Sequence, residues 1–422
     1  MAYLRESSRR LRTMSGRAAN WRSAIFGIVA VASLILGTGQ PASAQTLETA
    51  APYAYVIDDA TGTIILSKDA DVGLAPASMA KLMTLEIVFE AIKEGRLSLD
   101  DEFPVSEYAW RTGGAPSRTA TMFASLNSNV RLEDLLRGIM IQNANDGAIV
   151  IAEGMAGNEQ AFAVLMNERA RELGLSNTNF VNSTGLPDED QPPGAPDQTV
   201  SMRDLVTLAR HIITEHPRLY RYFSEPEFTW NNIRQLNRNP LVGLSIGADG
   251  MFPGYDEEDG YGMIASAERD GQRIIAGIHG LKSDKARLNE MQKLLAWGFR
   301  SFEKVTLFQT GEPVGEVGVF GGTDGWVALA GHDPIQILIP RGAKSKLRAR
   351  IVYDGPLRAP VEEGQQVGKL EVMNDEDLVS SVPLYATRSI DVGPLYSRAL
   401  DAAYELVVGL IHSGVNAATN RN

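Results

Sequence analysis

Ser78 and Lys81 are the residues of this chain whose types and spacing point most directly to chemistry. Side chains three positions apart on a helix lie on the same face, so this hydroxyl and this amine can meet. Such a pair suits an acyl-transfer nucleophile, because the amine can take the proton of the hydroxyl. Residues 76–84 read Pro-Ala-Ser-Met-Ala-Lys-Leu-Met-Thr and continue as an apolar helix to Phe89. An ammonium is poorly solvated in such surroundings, which lowers its pKa and favours a role as base.

We expect this pair to lie in a domain whose sheet combines strands from the beginning and from the end of that domain's sequence. Strands are predicted at 54–59 and 62–67, and an antiparallel meander at 248–255, 262–267 and 273–279. Further helices are predicted at 132–140, 158–173, 202–214 and 283–299, the last two beginning at Ser201 and Ser283.

The C-terminal part of the chain has a different pattern. Short apolar runs separated by Gly, Pro and acidic turns predict a small all-β domain, with strands at 314–319, 335–339, 347–352 and 367–372. Residues 395–411 predict a tail helix with a broad apolar face and few charges. This helix is expected either to lie on a membrane or to pack on the β domain.

Residues 1–44 differ in composition from the rest of this 422-residue chain. They carry six arginines and one glutamate, an apolar run at 24–36, and Ala42-Ser43-Ala44 at the end. This combination is typical of a secretory signal peptide, so we predict an exported, periplasmic protein. Removing the net charge of +5 in this segment takes the formal charge of the chain from −12 to −17.

The composition also argues against several functions. A strongly acidic protein is a poor partner for nucleic acid. The chain has no cysteine, which excludes disulfides and thiol catalysis. Five scattered histidines without a His-x-x-x-His pair argue against a structural zinc site. We therefore expect no metal and no other cofactor.

Four stretches, taken in order, resemble the low-molecular-weight penicillin-binding proteins, which are serine-type D-alanyl-D-alanine carboxypeptidases of the cell wall. They are residues 76–84, 135–146 (Leu-Leu-Arg-Gly-Ile-Met-Ile-Gln-Asn-Ala-Asn-Asp), 237–239 (Asn-Arg-Asn) and 339–342 (Ile-Pro-Arg-Gly). The resemblance implies an α/β (α+β) fold: a β-lactamase/penicillin-binding transpeptidase-like αβα sandwich with an antiparallel sheet, then an all-β domain and a tail helix. We therefore expect a signal peptide at 1–44, a peptidase domain at 45–304, a β domain at 305–390 and the tail at 391–422.

The same resemblance implies roles for the first two motifs. Ser78 would be the nucleophile, Lys81 the general base, and Asn145 the residue that positions Lys81 and the substrate. Asn143 stands where the family has a hydroxyl that relays protons. An amide donates and accepts hydrogen bonds but does not relay a proton in this way. The second motif is thus expected to work less well than the family's.

The third motif departs further from the family pattern. Where the family has Lys-Thr-Gly, this chain has Phe252, Pro253 and Gly254, so an ammonium and a hydroxyl that hold the substrate carboxylate are replaced. The backbone N–H groups of Ser78 and Tyr255 would still form the oxyanion hole. The four carboxylates at 256–259 are expected to repel an anionic substrate.

Two functions follow from these residues and the resemblance. In the first, the protein trims the terminal D-Ala from peptidoglycan stem peptides through an acyl-enzyme on Ser78, and β-lactams are covalent inhibitors. In the second, it is a catalytically silent relative that binds wall peptides or partner proteins. A β-lactamase is a third and more distant alternative, because no glutamate can be assigned to a deacylation motif.

Overall fold

The computed structural model describes residues 48–187, 197–341, 347–355, 357–374 and 377–394. The predicted signal peptide and the predicted tail helix at 395–411 lie outside these residues. Within them, no helix is both long enough and apolar enough to cross a membrane.

The α-helices of the described residues are α1 (Lys81–Lys93), α2 (Glu107–Thr112), α3 (Leu132–Gln142), α4 (Asn145–Ala156), α5 (Glu159–Glu172), α6 (Met202–Glu215), α7 (Pro217–Tyr220) and α8 (Asp284–Ser301). Short 3-10 helices lie at Ala77–Ala80, Ala115–Ser117 and Arg221–Ser224. The Oγ atoms of Ser201 and Ser283 accept backbone N–H groups in the first turns of α6 and α8, as predicted.

The strands before α8 are β1 (Tyr53–Asp58), β2 (Ile64–Lys68), β3 (Gly73–Leu74), β4 (Glu102–Pro104), β5 (Asn129–Arg131), β6 (Thr178–Asn179), β7 (Thr199–Ser201), β8 (Glu227–Trp230), β9 (Ile233–Leu236), β10 (Ala248–Gly250), β11 (Pro253–Asp256), β12 (Gly260–Arg269) and β13 (Gln272–Leu281). The strands after it are β14 (Phe302–Phe308), β15 (Gly315–Phe320), β16 (Trp326–Ala330), β17 (Ile335–Pro340), β18 (Leu347–Tyr353), β19 (Leu357–Arg358), β20 (Gln366–Asn374) and β21 (Asp377–Ala386).

The main sheet joins strands from distant parts of the sequence. Its order is β10-β12-β13-β1-β2, and β11 also pairs with β12. All of these pairs are antiparallel, and β13 places Ala276 opposite Val56 on one side and Ala265 on the other. The predicted antiparallel meander is therefore confirmed. Strands β10 and β11 form one edge of the sheet.

Helices cover both faces of this sheet, because successive side chains of a strand point to opposite sides. Val56 packs in the same cluster as Leu294 of α8. Its neighbour Ile57 belongs to the cluster that contains Leu82 of α1 and Leu205 of α6. This helix–sheet–helix arrangement confirms the predicted αβα sandwich and holds α1 inside its larger helical layer.

The strands after α8 form a separate β structure. Six of them pair in the order β18-β20-β21-β16-β15-β19, and β14 pairs with β17. Their core contains Val317, Val327, Leu370 and Leu384, all nearly inaccessible to solvent. The predicted C-terminal β domain is confirmed.

Several elements differ from the sequence-based expectation, and two of them carry residues of the second and third motifs. Helix α4 was not predicted, since residues 145–152 are buried on all sides and show no polar–apolar period. The predicted strand at 248–255 is two strands, β10 and β11. The pairing with β12 shifts register between Ala248 and Gly250, and β11 then begins at Pro253, which has no N–H to donate.

Candidate active site

Ser78 and Lys81 meet at the beginning of the helix that carries them. Ser78 lies in the 3-10 helix Ala77–Ala80, which continues directly into α1 at Lys81. The Nζ atom of Lys81 donates a hydrogen bond to Ser78 Oγ over 3.2 Å. Ser78 is half-buried, whereas Lys81 is wholly inaccessible to solvent. The predicted contact between hydroxyl and amine is thus present in the fold.

The surroundings of Lys81 favour its neutral form. Burial lowers the pKa of Lys81 to about 7, and among the nearby charges Glu159 opposes this shift while Arg238 adds to it. A group with this pKa is about half neutral at pH 7. A buried amine 3.2 Å from a hydroxyl, about half of it unprotonated at pH 7, can act as a general base.

A loop after α5 fixes the amine from the other side. The carbonyl oxygen of Thr184 accepts a hydrogen bond of 2.7 Å from Lys81 Nζ. The side-chain oxygen of Asn182 accepts from the backbone N–H groups of Thr184 and Gly185, over 3.1 and 2.8 Å. This turn of the loop is therefore held by an asparagine side chain, and it aims one carbonyl at the lysine.

Two further groups anchor the same loop to the helical layer. Glu159, at the start of α5, accepts hydrogen bonds from the N–H and Oγ of Ser183 over 2.7 and 2.9 Å. Thr84 Oγ1 on α1 donates to the Ser183 carbonyl over 2.7 Å. Gly185 has a φ of +79°, and a methyl group there would overlap the carbonyl oxygen of Ala77. These residues were not predicted, although Asn-Ser-Thr-Gly at 182–185 is typical of a loop.

The second motif lies between helices α3 and α4. Asn143 ends α3 in the left-handed conformation, with φ 60° and ψ 34°, which asparagine tolerates better than most residues. Its Nδ2 lies 3.4 Å from the carbonyl oxygen of Pro253, so the second and third motifs touch. Its Oδ1 is buried and lacks a hydrogen-bond partner within the described part of the chain.

Asn145 begins α4, and it does not hold the lysine as expected. Its Nδ2 donates to Thr119 Oγ1 over 3.0 Å. The Nζ atom of Lys81 instead donates to Ser78 and Thr184. The Oδ1 of Asn145 is buried and has no hydrogen-bond partner among the described residues, which leaves an acceptor in the site.

Phe252, expected among the substrate-binding residues, lies in the hydrophobic core. Its side chain is 1% exposed, and its ring packs edge-on against Phe223 at 5.1 Å between centroids. The ring therefore fills space behind the edge strand and does not present itself to a substrate. The missing lysine of the third motif has been replaced by an interior residue.

The other residues of the third motif form the edge strand beside the nucleophile. Pro253 lies opposite Met263 in β12. A methyl group on Gly254 would come within 3.2 Å of the carbonyl oxygen of Pro76, so this strand approaches the nucleophile turn closely. Arg287 of α8 donates to the Gly254 carbonyl over 2.8 Å. Tyr255 is 52% exposed, and its ring packs on that of Tyr261.

The acidic run after Tyr255 is partly structural. Asp259 Oδ2 accepts the backbone N–H of Ala75 over 2.8 Å and so ties the β11–β12 turn to the segment before Ser78. Asp256 Oδ1 accepts the N–H groups of Glu258 and Asp259 within the turn. Two of the four carboxylates are thus engaged in hydrogen bonds. Hydrogen bonds from N–H groups do not remove a carboxylate's charge, so the expected repulsion of an anionic substrate involves all four residues, of which Glu257 and Glu258 are exposed.

Known proteins are similar to this chain in sequence and in fold. Residues 40–283 match the family described as D-alanyl-D-alanine carboxypeptidase, and residues 302–392 match the C-terminal domain of penicillin-binding protein 5. The chain is 35% identical to D-alanyl-D-alanine carboxypeptidase DacC of Escherichia coli over 366 residues, which cover 85% of this chain and 90% of that protein.

Solved structures agree with this match. Penicillin-binding protein 5 from Haemophilus influenzae superposes with a TM-score of 0.74 at 33% identity, covering 82% of this chain and 98% of that one. Penicillin-binding protein D2 from Listeria monocytogenes, solved in an ampicillin-bound form, gives 0.51 at 27% identity and covers 60% and 99%. The protein described here therefore belongs to the D-alanyl-D-alanine carboxypeptidase family.

Proposed function

We propose that this protein is a serine-type D-alanyl-D-alanine carboxypeptidase that trims peptidoglycan stem peptides through an acyl-enzyme on Ser78. The observation that carries the proposal is the 3.2 Å contact between Ser78 Oγ and the buried amine of Lys81. Family membership supports the reaction, since relatives at 31–35% identity bear the name of this activity.

In the acylation step, the neutral Lys81 takes the proton of Ser78 as Oγ attacks the carbonyl carbon between the two D-Ala residues. The C–N bond then breaks, and the departing D-Ala amine receives that proton from the Lys81 ammonium. Water, deprotonated by the same amine, attacks the ester; the C–O bond to Ser78 breaks, Oγ takes the proton back from the Lys81 ammonium, and the shortened peptide is released. No step of this scheme uses a metal or a cofactor.

We assign the oxyanion hole to the backbone N–H groups of Ser78 and Tyr255. Ser78 lies in the first turn of a helix, where N–H groups have no partner inside the helix and the helix dipole favours negative charge. Tyr255 lies on the edge strand β11, and its neighbour Gly254 closely approaches the Pro76 carbonyl at the start of this turn. Substitution of side chains in the third motif leaves these backbone donors in place.

The substrate carboxylate has a weaker anchor here than the family motif supplies. Neither Phe252 nor Pro253 offers a side-chain donor, and the ring of Phe252 is buried. We propose that Arg238 provides the cation instead, because it is exposed and its charge acts on Lys81. A single exposed cation holds a carboxylate loosely, so we expect weak activity.

The silent-relative alternative draws on Asn143 and the third motif. It predicts that wall peptides bind to the cleft without any reaction at Ser78. The choice between the two functions depends on whether Ser78 forms a covalent bond. An ampicillin-bound relative makes β-lactams the natural probe of that step.

The test is intact-mass measurement of the purified protein after exposure to a labelled penicillin, together with D-Ala release from a peptide that ends in D-Ala-D-Ala. We expect one adduct per chain and slow D-Ala release, both absent in Ser78→Ala. An adduct without peptide turnover would refute the carboxypeptidase assignment. A lack of both would favour the silent relative.

We also propose that the protein is exported to the periplasm and that its tail attaches it to the inner membrane. The basic and apolar segments at 1–44 support export, and the apolar face predicted at 395–411 supports attachment.

A further inference from the structure

Two acidic residues of α1 and two histidines at the end of α6 come together away from the nucleophile. Glu86 and Glu90 are four residues apart on α1, and His211 and His216 lie in the last turn of α6 and at its end. One ligand atom from each of these four side chains lies within 4.8 Å of every other. We call this group the Glu–His cluster.

The centre of the Glu–His cluster is buried and contains unpartnered polar atoms. The side chains of Glu86 and His216 are 0% and 2% exposed. Glu86 Oε2 and His216 Nε2 lie 3.2 Å apart but outside hydrogen-bonding geometry, and neither has a hydrogen-bond partner among the described residues. Buried polar atoms are rarely left in this state, so their position calls for a further ligand.

An arginine supports the cluster from α5. Arg169 Nε and Nη2 donate to Glu86 Oε1 over 3.0 and 2.7 Å, and Nη2 lies 3.3 Å from Glu90 Oε2. The arginine thus occupies Oε1 of Glu86, its Nη2 also lies 3.4 Å from His211 Nε2, and Oε2 of Glu86 is left facing His216. Carboxylates that bind metals are themselves usually held by such an outer hydrogen bond. With neutral imidazoles, the carboxylates of Glu86, Glu90 and Glu215 and the cations of Arg169 and Lys93 give a net charge of −1, which favours entry of a cation.

We propose that the Glu–His cluster is a binding site for a divalent transition-metal ion of the Zn²⁺ type. Two imidazoles and two carboxylates are a donor set that suits zinc. Tetrahedral ligands about 2.0–2.1 Å from zinc lie roughly 3.4 Å from one another. Two pairs are already close to this value: Glu86 Oε2 and His216 Nε2 are 3.2 Å apart, and Glu90 Oε2 and His216 Nε2 are 3.6 Å apart. Small side-chain rotations close the remaining gaps.

The ion at this site is structural, because it lies far from the reacting groups. Glu86 is eight residues beyond Ser78, which is roughly 12 Å along a helix. The bound ion would connect α1, the helix that begins at Lys81, to α6 on the same side of the sheet. Spacing along the sequence did not reveal the site, since its ligands come in pairs from two helices that are distant in sequence.

The test uses untagged protein stripped of metal with a chelator. Isothermal titration with ZnCl₂ is expected to give one ion per chain, and CoCl₂ the visible absorption of a four-coordinate site. Loss of an outer-shell partner already weakens metal affinity about 10- to 100-fold, so loss of a ligand in His216→Gln is expected to weaken it by about 100-fold or more. His332→Gln is the matched control, because His332 is exposed and lies outside the cluster.

Glu90→Gln provides a second variant at a partly exposed ligand, in case the buried histidine variant does not fold. It is expected to weaken zinc binding while circular dichroism stays unchanged. The proposal is overturned if the wild-type protein binds no stoichiometric Zn²⁺. It is equally overturned if both ligand variants bind zinc as tightly as His332→Gln, in which case the cluster is an ion-pair network only.

Discussion

Lys81 is the residue whose environment most directly sets the chemistry of the site. A lysine in water remains charged until well above pH 9, whereas burial brings the pKa of Lys81 to about 7. The base therefore loses its proton close to neutral pH.

The rate of Ser78 acylation should rise with pH, because only the neutral amine accepts a proton and its population grows above the pKa. With a pKa of about 7, the neutral fraction grows about tenfold between pH 6 and pH 8 and then levels off. Stopped-flow acylation by a fluorescent penicillin measures this profile. Arg238→Gln removes a positive charge that lowers the pKa of Lys81, so its profile should move to higher pH. A profile that is flat or falls with pH would rule out Lys81 as the base.

Asn143→Ser should increase the rate of acylation by about tenfold or more, since it restores a hydroxyl able to pass a proton toward the leaving group. The variant should also lose about 1 kcal/mol of unfolding free energy, because Asn143 has a left-handed backbone that serine tolerates less well. Penicillin acylation and urea unfolding measure the two effects. Asn143→Ala supplies no hydroxyl, and equal acceleration in that variant would contradict the explanation.

Single residues were predictable where spacing decides contact. A separation of three positions on a helix was enough to place Ser78 beside Lys81. The positions of Phe252 and Asn145 were not predictable in this way. Whether a residue next to a motif faces the cleft or the core depends on packing partners from distant segments, here Phe223 and Thr119.

At the scale of elements, the loop at 182–185 decides whether the catalytic amine is held in place. It brings the Thr184 carbonyl to Lys81 and lies against the turn that carries Ser78. A short strand edge closes the opposite side of the site. The position of the Lys81 amine relative to Ser78 thus depends on one loop whose backbone is tightly constrained.

Gly185→Ala should slow acylation about 100-fold, because a methyl group would overlap the Ala77 carbonyl and displace the Thr184 oxygen. Gly174→Ala is the matched control. Gly174 also has a positive φ, of +71°, but nothing lies within 4 Å of the added methyl group. The control should lose only the roughly 1 kcal/mol of a left-handed alanine and keep its acylation rate. Equal loss of activity in both variants would show that backbone strain alone is responsible.

Helices with a polar–apolar period were predictable from that period, whereas α4, which lacks one, was not predicted. Helices α3, α5, α6 and α8 lie within a few residues of their predicted positions. Helix α4 is buried on every side over 145–152, so its sequence has no polar face from which an amphipathic helix could be predicted. The Glu–His cluster also could not be predicted from local sequence, since it forms only when α1 and α6 pack together.

At the scale of the whole molecule, the arrangement of the sheet followed from the order of strands and helices in the sequence. Strands early and late with helices between them require a sheet that closes from both ends, and β1 indeed pairs with β13. The two ends of the chain remain predictions from composition alone.

Protein recovered from the periplasm should begin at Gln45, because cleavage is expected after Ala42-Ser43-Ala44. N-terminal sequencing of the secreted form gives this result directly. A protein that begins at Met1 and stays in the cytoplasm would contradict export.

Removal of the residues after Gly393 should release the mature protein from membranes, since each large apolar side chain that the tail buries contributes roughly 1.5–3 kcal/mol. Sedimentation with lipid vesicles measures attachment, and added salt should leave it unchanged because the tail carries few charges. If the full-length protein never sediments with vesicles, the tail packs on the β domain instead.

The packing of Phe252 on Phe223 also constrains how this protein can change during evolution. A lysine in place of the Phe252 ring would put an unpaired ammonium where the side chain is now 1% exposed, at a cost of several kcal/mol. Phe223 belongs to another segment, the 3-10 helix Arg221–Ser224, so the two positions are coupled through contact. A lineage carrying this pair would need a change at 223 before a cationic third motif became tolerable. The order of substitutions, and not only their identity, therefore governs whether such a motif can return.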